Sequence, residues 1–201
     1  REAVELRPLL DRRTFVSALA AAGTLAGIGA CRDSTARPRK GGSRHGAAAP
    51  AVSKGRFEPG YLALERSGKL ARIERTLWRM YDKCRCCPRR CEKRRSWGEA
   101  GDCSSTSRLK ISSAGPHFGE EKPLVGKHGS GTIFFSRCNL LCVFCQNWQI
   151  AHRGDGRFVS HESLAGAMLQ LQKLGCHNIN LVTPTHVVPN IVRSLRIAVR
   201  K

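Results

Sequence analysis

Cys138, Cys142 and Cys145 stand in the run Gly131-Thr-Ile-Phe-Phe-Ser-Arg-Cys-Asn-Leu-Leu-Cys-Val-Phe-Cys-Gln-Asn-Trp148. Three thiolates spaced C-x3-C-x2-C on one short loop can hold three corners of a 4Fe-4S cube, and no fourth cysteine follows closely. A cube held at three corners leaves one iron open to a small-molecule ligand. Upstream, Cys84, Cys87, Cys91 and Cys103 form a second tetrad, C-x2-C-x3-C-x11-C. Four-cysteine zinc and an auxiliary iron–sulfur cluster are both compatible with it, and the spacing alone favours zinc. Cys86 is surplus there and could replace a neighbour as ligand.

The chain has ten cysteines in all. Five lie between Cys84 and Cys103, three between Cys138 and Cys145, and Cys31 and Cys176 stand alone. Closely spaced pairs on tight loops suit metal better than a disulfide framework, the bland alternative for a secreted chain. Cys176, at the end of an apolar helix, reads as a buried thiol.

The formal net charge is +20, and Arg75 to Lys110 carries eleven Lys/Arg against four Asp/Glu. Such a stretch attracts polyanions, but cations that offset clustered thiolates explain it as well. Aromatic residues there are sparse (Trp78, Tyr81, Trp97), which argues against nucleic acid as a partner.

These groups need positioning, and the chain supplies the elements unevenly. Residues 1–31 contain Arg12-Arg13, then Phe15 and Val16, then a weakly apolar Ala/Gly stretch. This resembles a twin-arginine export signal, with a loose lipoprotein processing site at Ile28-Gly-Ala-Cys31 that would put a lipid on Cys31. The apolar run is shorter than the roughly 20 residues a membrane anchor needs. Residues 32–56 are Gly, Ser, Ala, Pro and basic residues, expected to be a disordered linker. That leaves about 145 residues for a core, enough for one small domain. Starting at Arg1 and stopping at Lys201, the chain reads as part of a longer protein.

Within the remainder, residues 57–128 are expected to hold a helix over 68–82 (Leu70, Ile73, Leu77, Met80) followed by the cysteine-rich region. Residues 129–201 begin with a buried strand at Ile133-Phe-Phe135. A helix follows from about Ser163 to a cap at Gly175, then a strand over 178–183 and a helix from Pro189. Strand, helix, strand, helix with short connections implies an α/β fold with a parallel sheet.

The loop Cys138–Cys145 resembles the signature of the radical S-adenosylmethionine (SAM) enzymes. Phe118-Gly-Glu-Glu121, Gly129-Ser-Gly131, Cys145-Gln-Asn-Trp148 and Val182-Thr-Pro-Thr-His186 resemble the subfamily related to pyruvate formate-lyase activating enzymes, as does the pattern Cys84-Arg-Cys-Cys-Pro-Arg-Arg-Cys91. The likeness covers roughly residues 80–200. It implies the first two βα units of a partial (β/α)6 barrel preceded by a cysteine-rich metal-binding region. It also implies a cluster on Cys138, Cys142 and Cys145, with SAM chelating the fourth iron. Phe144 would pack on the adenine. Thr183, Thr185 or His186 would replace the family's Gly-Gly-Glu contact to SAM. The implied activity is reductive SAM cleavage to a 5′-deoxyadenosyl radical, as in a glycyl-radical activase. Its partners would be an electron donor such as flavodoxin or ferredoxin and a substrate, with proteins among the candidate classes. Twin-arginine transport carries folded, cofactor-loaded proteins, which fits a cluster but not a cosubstrate made in the cytoplasm. Two other readings stand beside this one. An electron-transfer iron–sulfur protein would need a fourth ligand, for which His152 is the nearby candidate. A zinc module could use the basic surface to hold nucleic acid.

Overall fold

A computed structural model describes residues 58–201. Two helices open it, α1 (Gly60–Arg66) and α2 (Lys69–Arg79), separated by Gly68 in the left-handed region at φ 69°. A residue with a Cβ is disfavoured there, which makes this turn a glycine position. α2 carries the periodic residues predicted for 68–82 and buries Leu70 and Glu74. The segment 80–109 that follows has one helical turn, Arg95–Trp97, and contains the five upstream cysteines.

Four strands come next: β1 (Lys110–His117), β2 (Ser130–Phe135), β3 (Arg157–Phe158) and β4 (Ile179–Val182). They form one sheet in the order β3-β1-β2-β4. β1 runs antiparallel to both β2 and β3, with Ala114 opposite Ile133 and Lys110 opposite Phe158. β2 and β4 run parallel, Ile133 opposite Leu181. The short helix α3 (Lys122–Val125) joins β1 to β2.

α4 (His161–Lys173) provides the crossover from the β3 region to β4, and α5 (Val188–Val199) packs beside it. Ser160 caps α4 by accepting the Ser163 backbone N–H at 3.1 Å, and Gly175 at φ 83° ends it. Leu164, Met168 and Leu171 recur along its buried face. They meet Ile133 and Phe135 of β2, Ile111 of β1 and Ile191 of α5 in one core. Gly131 lets helix and strand approach, since a Cβ there would stand 2.8 Å from the Asn178 carbonyl and 3.3 Å from Leu171 Cβ.

The expected start of a (β/α)6 barrel is corrected by this topology. The β2–α4–β4 unit is parallel, but β1 occupies the other side of β2 in the antiparallel sense. Its backbone groups satisfy the edge where a parallel barrel neighbour would pair. The result is a small mixed α/β domain with an open sheet. Among the described residues, no helix is long and apolar enough to cross a membrane.

Candidate functional site

The loop that leaves β2 is fastened by its backbone. Arg89 Nε donates to the Asn139 carbonyl, and Arg89 Nη2 reaches the Leu140 carbonyl at 3.1 Å. His152 Nε2 lies 2.9 Å from the Cys142 carbonyl, an acceptor, so that nitrogen carries the proton. Cys138 turns inward and is buried, its sulfur accepting the Leu140 N–H at 3.4 Å. Cys142 and Cys145 are half-buried and flank the loop tip, where Val143 and Phe144 are 91% and 87% exposed.

Among the described residues, no group of three or more His, Cys, Asp or Glu side chains converges to hold a metal ion. This overturns the cluster expected on Cys138, Cys142 and Cys145. It also overturns the zinc or auxiliary cluster expected on Cys84, Cys87, Cys91 and Cys103. The radical SAM identity, its SAM-cleaving activity and the iron–sulfur and zinc alternatives all rested on those ligand sets and are corrected with them. The physical reason in the lower loop is the carbonyl anchoring, which sends Cys138 into the core and its two neighbours to the rim. His152, the candidate fourth ligand, spends Nε2 on a carbonyl. Phe144 stands in solvent at the loop tip.

Thr183 and His186 serve the backbone. Thr183, at φ 56°, donates its hydroxyl to the Phe135 carbonyl at 2.9 Å. His186 is fully buried with Nε2 3.0 Å from the Ser136 carbonyl. Burial pushes its ring down to about 4, against the opposing pull of the Ser136 bond. Together they tie the end of β4 to the end of β2. Thr185 begins the helical turn Thr185–Val187 between them and α5.

The upstream cysteines gather differently. Two backbone hydrogen bonds, Cys84 N–H to the Lys93 carbonyl and Glu92 N–H to the Cys84 carbonyl, both 3.0 Å, fold the segment back on itself. This brings the Cys91 thiol beside Cys84. The sulfurs of Cys91 and Cys103 in turn flank Gly101, 3.3 and 3.5 Å from where a Cβ would sit. The Cys91 sulfur is thus a neighbour both of Cys84 and of the turn that carries Cys103.

Arg95 organises them, and sequence reasoning did not single it out. It has no exposed surface. Nη1 lies 3.6 Å from Cys84 Sγ and 2.9 Å from the His186 carbonyl, while Nη2 donates to the Thr106 carbonyl at 2.8 Å. Its guanidinium stacks over the Tyr81 ring, 4.4 Å from the centroid. The Tyr81 hydroxyl donates to Asn190 Oδ1, and Asn190 Nδ2 donates to the Ser107 carbonyl at 3.0 Å. This chain of buried polar contacts joins the cysteine segment to the end of β4 and the first turn of α5. The available signal was an arginine amid five cysteines, one of the cations expected to offset thiolate charge.

The electrostatics follow from that placement. Burial opposes ionisation of Cys84, but the Cys86 backbone N–H, the Arg95 guanidinium and the neighbouring Cys91 thiol outweigh it, so the thiol lies below its ordinary value. Burial and the nearby Cys84 charge push the Cys86 thiol up to about 12. The site thus favours ionisation of Cys84 over that of its neighbour Cys86.

Comparison with known proteins adds one relative. The chain is 32% identical over 127 residues to an uncharacterized protein of Methanocaldococcus jannaschii, a match that covers 58% of this chain and 35% of that protein. The chain therefore spans about a third of the relative's length. No family model matches the chain. No solved structure matches it either.

Proposed function

We propose that Cys84 and Cys91 form a thiol–disulfide exchange pair. The observation that carries this reading is the sulfur of Cys84 held against the buried Arg95 guanidinium with the Cys91 thiol beside it. Of the two, Cys91 is half-exposed and Cys84 is buried. Cys91 is therefore the outer nucleophile and Cys84 the resolving thiol.

The chemistry balances without a further cofactor. The Cys91 thiolate attacks one sulfur of a partner disulfide, forming a mixed disulfide and releasing the partner's other sulfur as a thiolate. The Cys84 thiolate then attacks the Cys91 sulfur. The second partner thiolate leaves, and two electrons have passed from the pair to the partner. Arg95 favours the ionised form of Cys84 for that second step. The reverse sequence, with a dithiol as reductant, restores the pair.

The partner proposed is a disulfide in another protein. The twin-arginine-type leader, residues 1–31, lies outside the described residues, as does the linker at 32–56. The leader supports an exported location, with Cys31 as the lipid attachment point, and disulfides persist in such compartments.

Equilibration of the full chain in glutathione buffers of graded poise, followed by acid trapping, alkylation and peptide mapping, tests the reading. A reversible Cys84–Cys91 linkage is expected. If both cysteines remain alkylatable at every poise, the reading fails.

A further inference from the structure

We infer that Cys103 is a third member of this exchange system, so that the disulfide formed on Cys91 can pass from Cys84 to Cys103. The inference rests on the exchange pair proposed above and adds a second internal route.

Gly101 is the structural basis. A Cβ at this position would lie 3.3 Å from Cys91 Sγ, 3.5 Å from Cys103 Sγ and 3.3 Å from Arg95 Cδ. Both sulfurs therefore lie within 3.5 Å of one point that a side chain at this position would occupy, which Gly101 leaves open. The Gly101 N–H to Ser105 carbonyl and Ser104 N–H to Gly101 carbonyl hydrogen bonds, 3.0 and 2.8 Å, close the turn that carries Cys103. Cys103 is buried, so it exchanges with an internal sulfur rather than with an external partner.

The step is an isomerisation with no net redox change. The Cys103 thiolate attacks the Cys91 sulfur of the Cys84–Cys91 disulfide. A Cys91–Cys103 bond forms, the Cys84–Cys91 bond breaks, and Cys84 leaves as a thiolate. Arg95 Nη1, 3.6 Å from Cys84 Sγ, receives that leaving group. A leaving thiol stabilised as its anion departs faster.

The consequence is a division of labour among three sulfurs. Cys91 meets the partner, Cys84 resolves the mixed disulfide, and Cys103 takes over the bond to Cys91 and frees Cys84.

The test starts from full-length wild-type protein carrying the Cys84–Cys91 disulfide, with excess oxidant removed, and follows linkages by acid trapping and peptide mapping. A Cys91–Cys103 linkage should appear with time while the total disulfide stays constant. Cys84→Ser, oxidised with glutathione disulfide, should give Cys91–Cys103 alone. Gly101→Ala should cut the Cys91–Cys103 fraction several-fold and leave Cys84–Cys91 formation intact. Cys103→Ala closing Cys84–Cys91 normally, while wild type never forms Cys91–Cys103, would overturn the inference and leave the exchange pair standing. Absence of Cys84–Cys91 itself in Cys103→Ala would instead remove the underlying pair.

Discussion

The guanidinium of Arg95 lies 3.6 Å from the sulfur of Cys84, and neither group is open to water. The same Nη1 atom is 2.9 Å from the carbonyl of His186, at the turn that follows β4. One buried cation thus adds to the Cys86 backbone N–H in favouring the Cys84 thiolate and holds the cysteine segment to the sheet domain.

Substitution of Arg95 separates those two roles. Arg95→Lys keeps a positive charge but loses the planar fork that serves three acceptors. The Cys84 thiol should ionise at higher pH, and its alkylation near neutrality should slow several-fold in peptide-resolved labelling. Arg95→Leu leaves carbonyls without donors and should cost about 3 kcal/mol or more in urea unfolding.

His186 predicts a pH dependence of stability. Its folded-state value is pushed down from the ordinary 6.5 to about 4, so between these values the unfolded chain binds a proton that the folded chain does not. Its contribution is therefore fully present above about 6.5 and lost as pH falls toward 4. Chemical denaturation of wild type across this window should show stability falling with acid. The slope should be shallower in His186→Asn, which cannot take up that proton.

Glu74 ties α2 to α5. It receives hydrogen bonds from Arg193 Nε at 2.6 Å and from Arg196 Nη1. Burial opposes its ionisation, but the two arginines outweigh this and hold the carboxyl below its ordinary value. Its contribution is present above the ordinary carboxylate range and is lost as pH falls through the lowered folded value. Glu74→Gln should cost about 1–3 kcal/mol at neutral pH. Its difference from wild type should shrink in acid, as measured by urea unfolding.

The proposed export rests on the leader alone. Replacing Arg12 and Arg13 together by lysine should leave an epitope-tagged full chain in the cytoplasm, as judged by fractionation, while the thiol chemistry of the purified protein is unchanged. Continued export would remove the proposed location.

Three of the helices, α2, α4 and α5, and two of the strands, β2 and β4, were legible because their burial is periodic. Leu164, Met168 and Leu171 repeat at helical spacing, and Ile133 and Phe135 mark a covered strand. β1 was not legible. Lys110-Ile-Ser-Ser-Ala-Gly-Pro-His117 has neither alternation nor a run of branched residues, and it is a strand because β2 and β3 supply backbone partners. That one antiparallel neighbour turns an expected barrel wall into an open mixed sheet. Cysteine spacing was misleading for a related reason. Spacing along the chain fixes which thiols can meet, while Arg89, His152 and Arg95 fix where the backbone and sulfurs go. Arg95 and Asn190, 95 residues apart, become parts of one network only through Tyr81 and the turn at His186.

The most direct measurement is trapping of the mixed disulfide on the outer thiol. Full-length protein with Cys84→Ser and Cys103→Ser together, exposed to glutathione disulfide, should accumulate a glutathione adduct on Cys91 by peptide mass spectrometry. Cys91→Ser should accumulate none on Cys84. An adduct on Cys84 in the absence of Cys91, or none on Cys91 in the double variant while other half-buried cysteines react, would contradict the assigned pair.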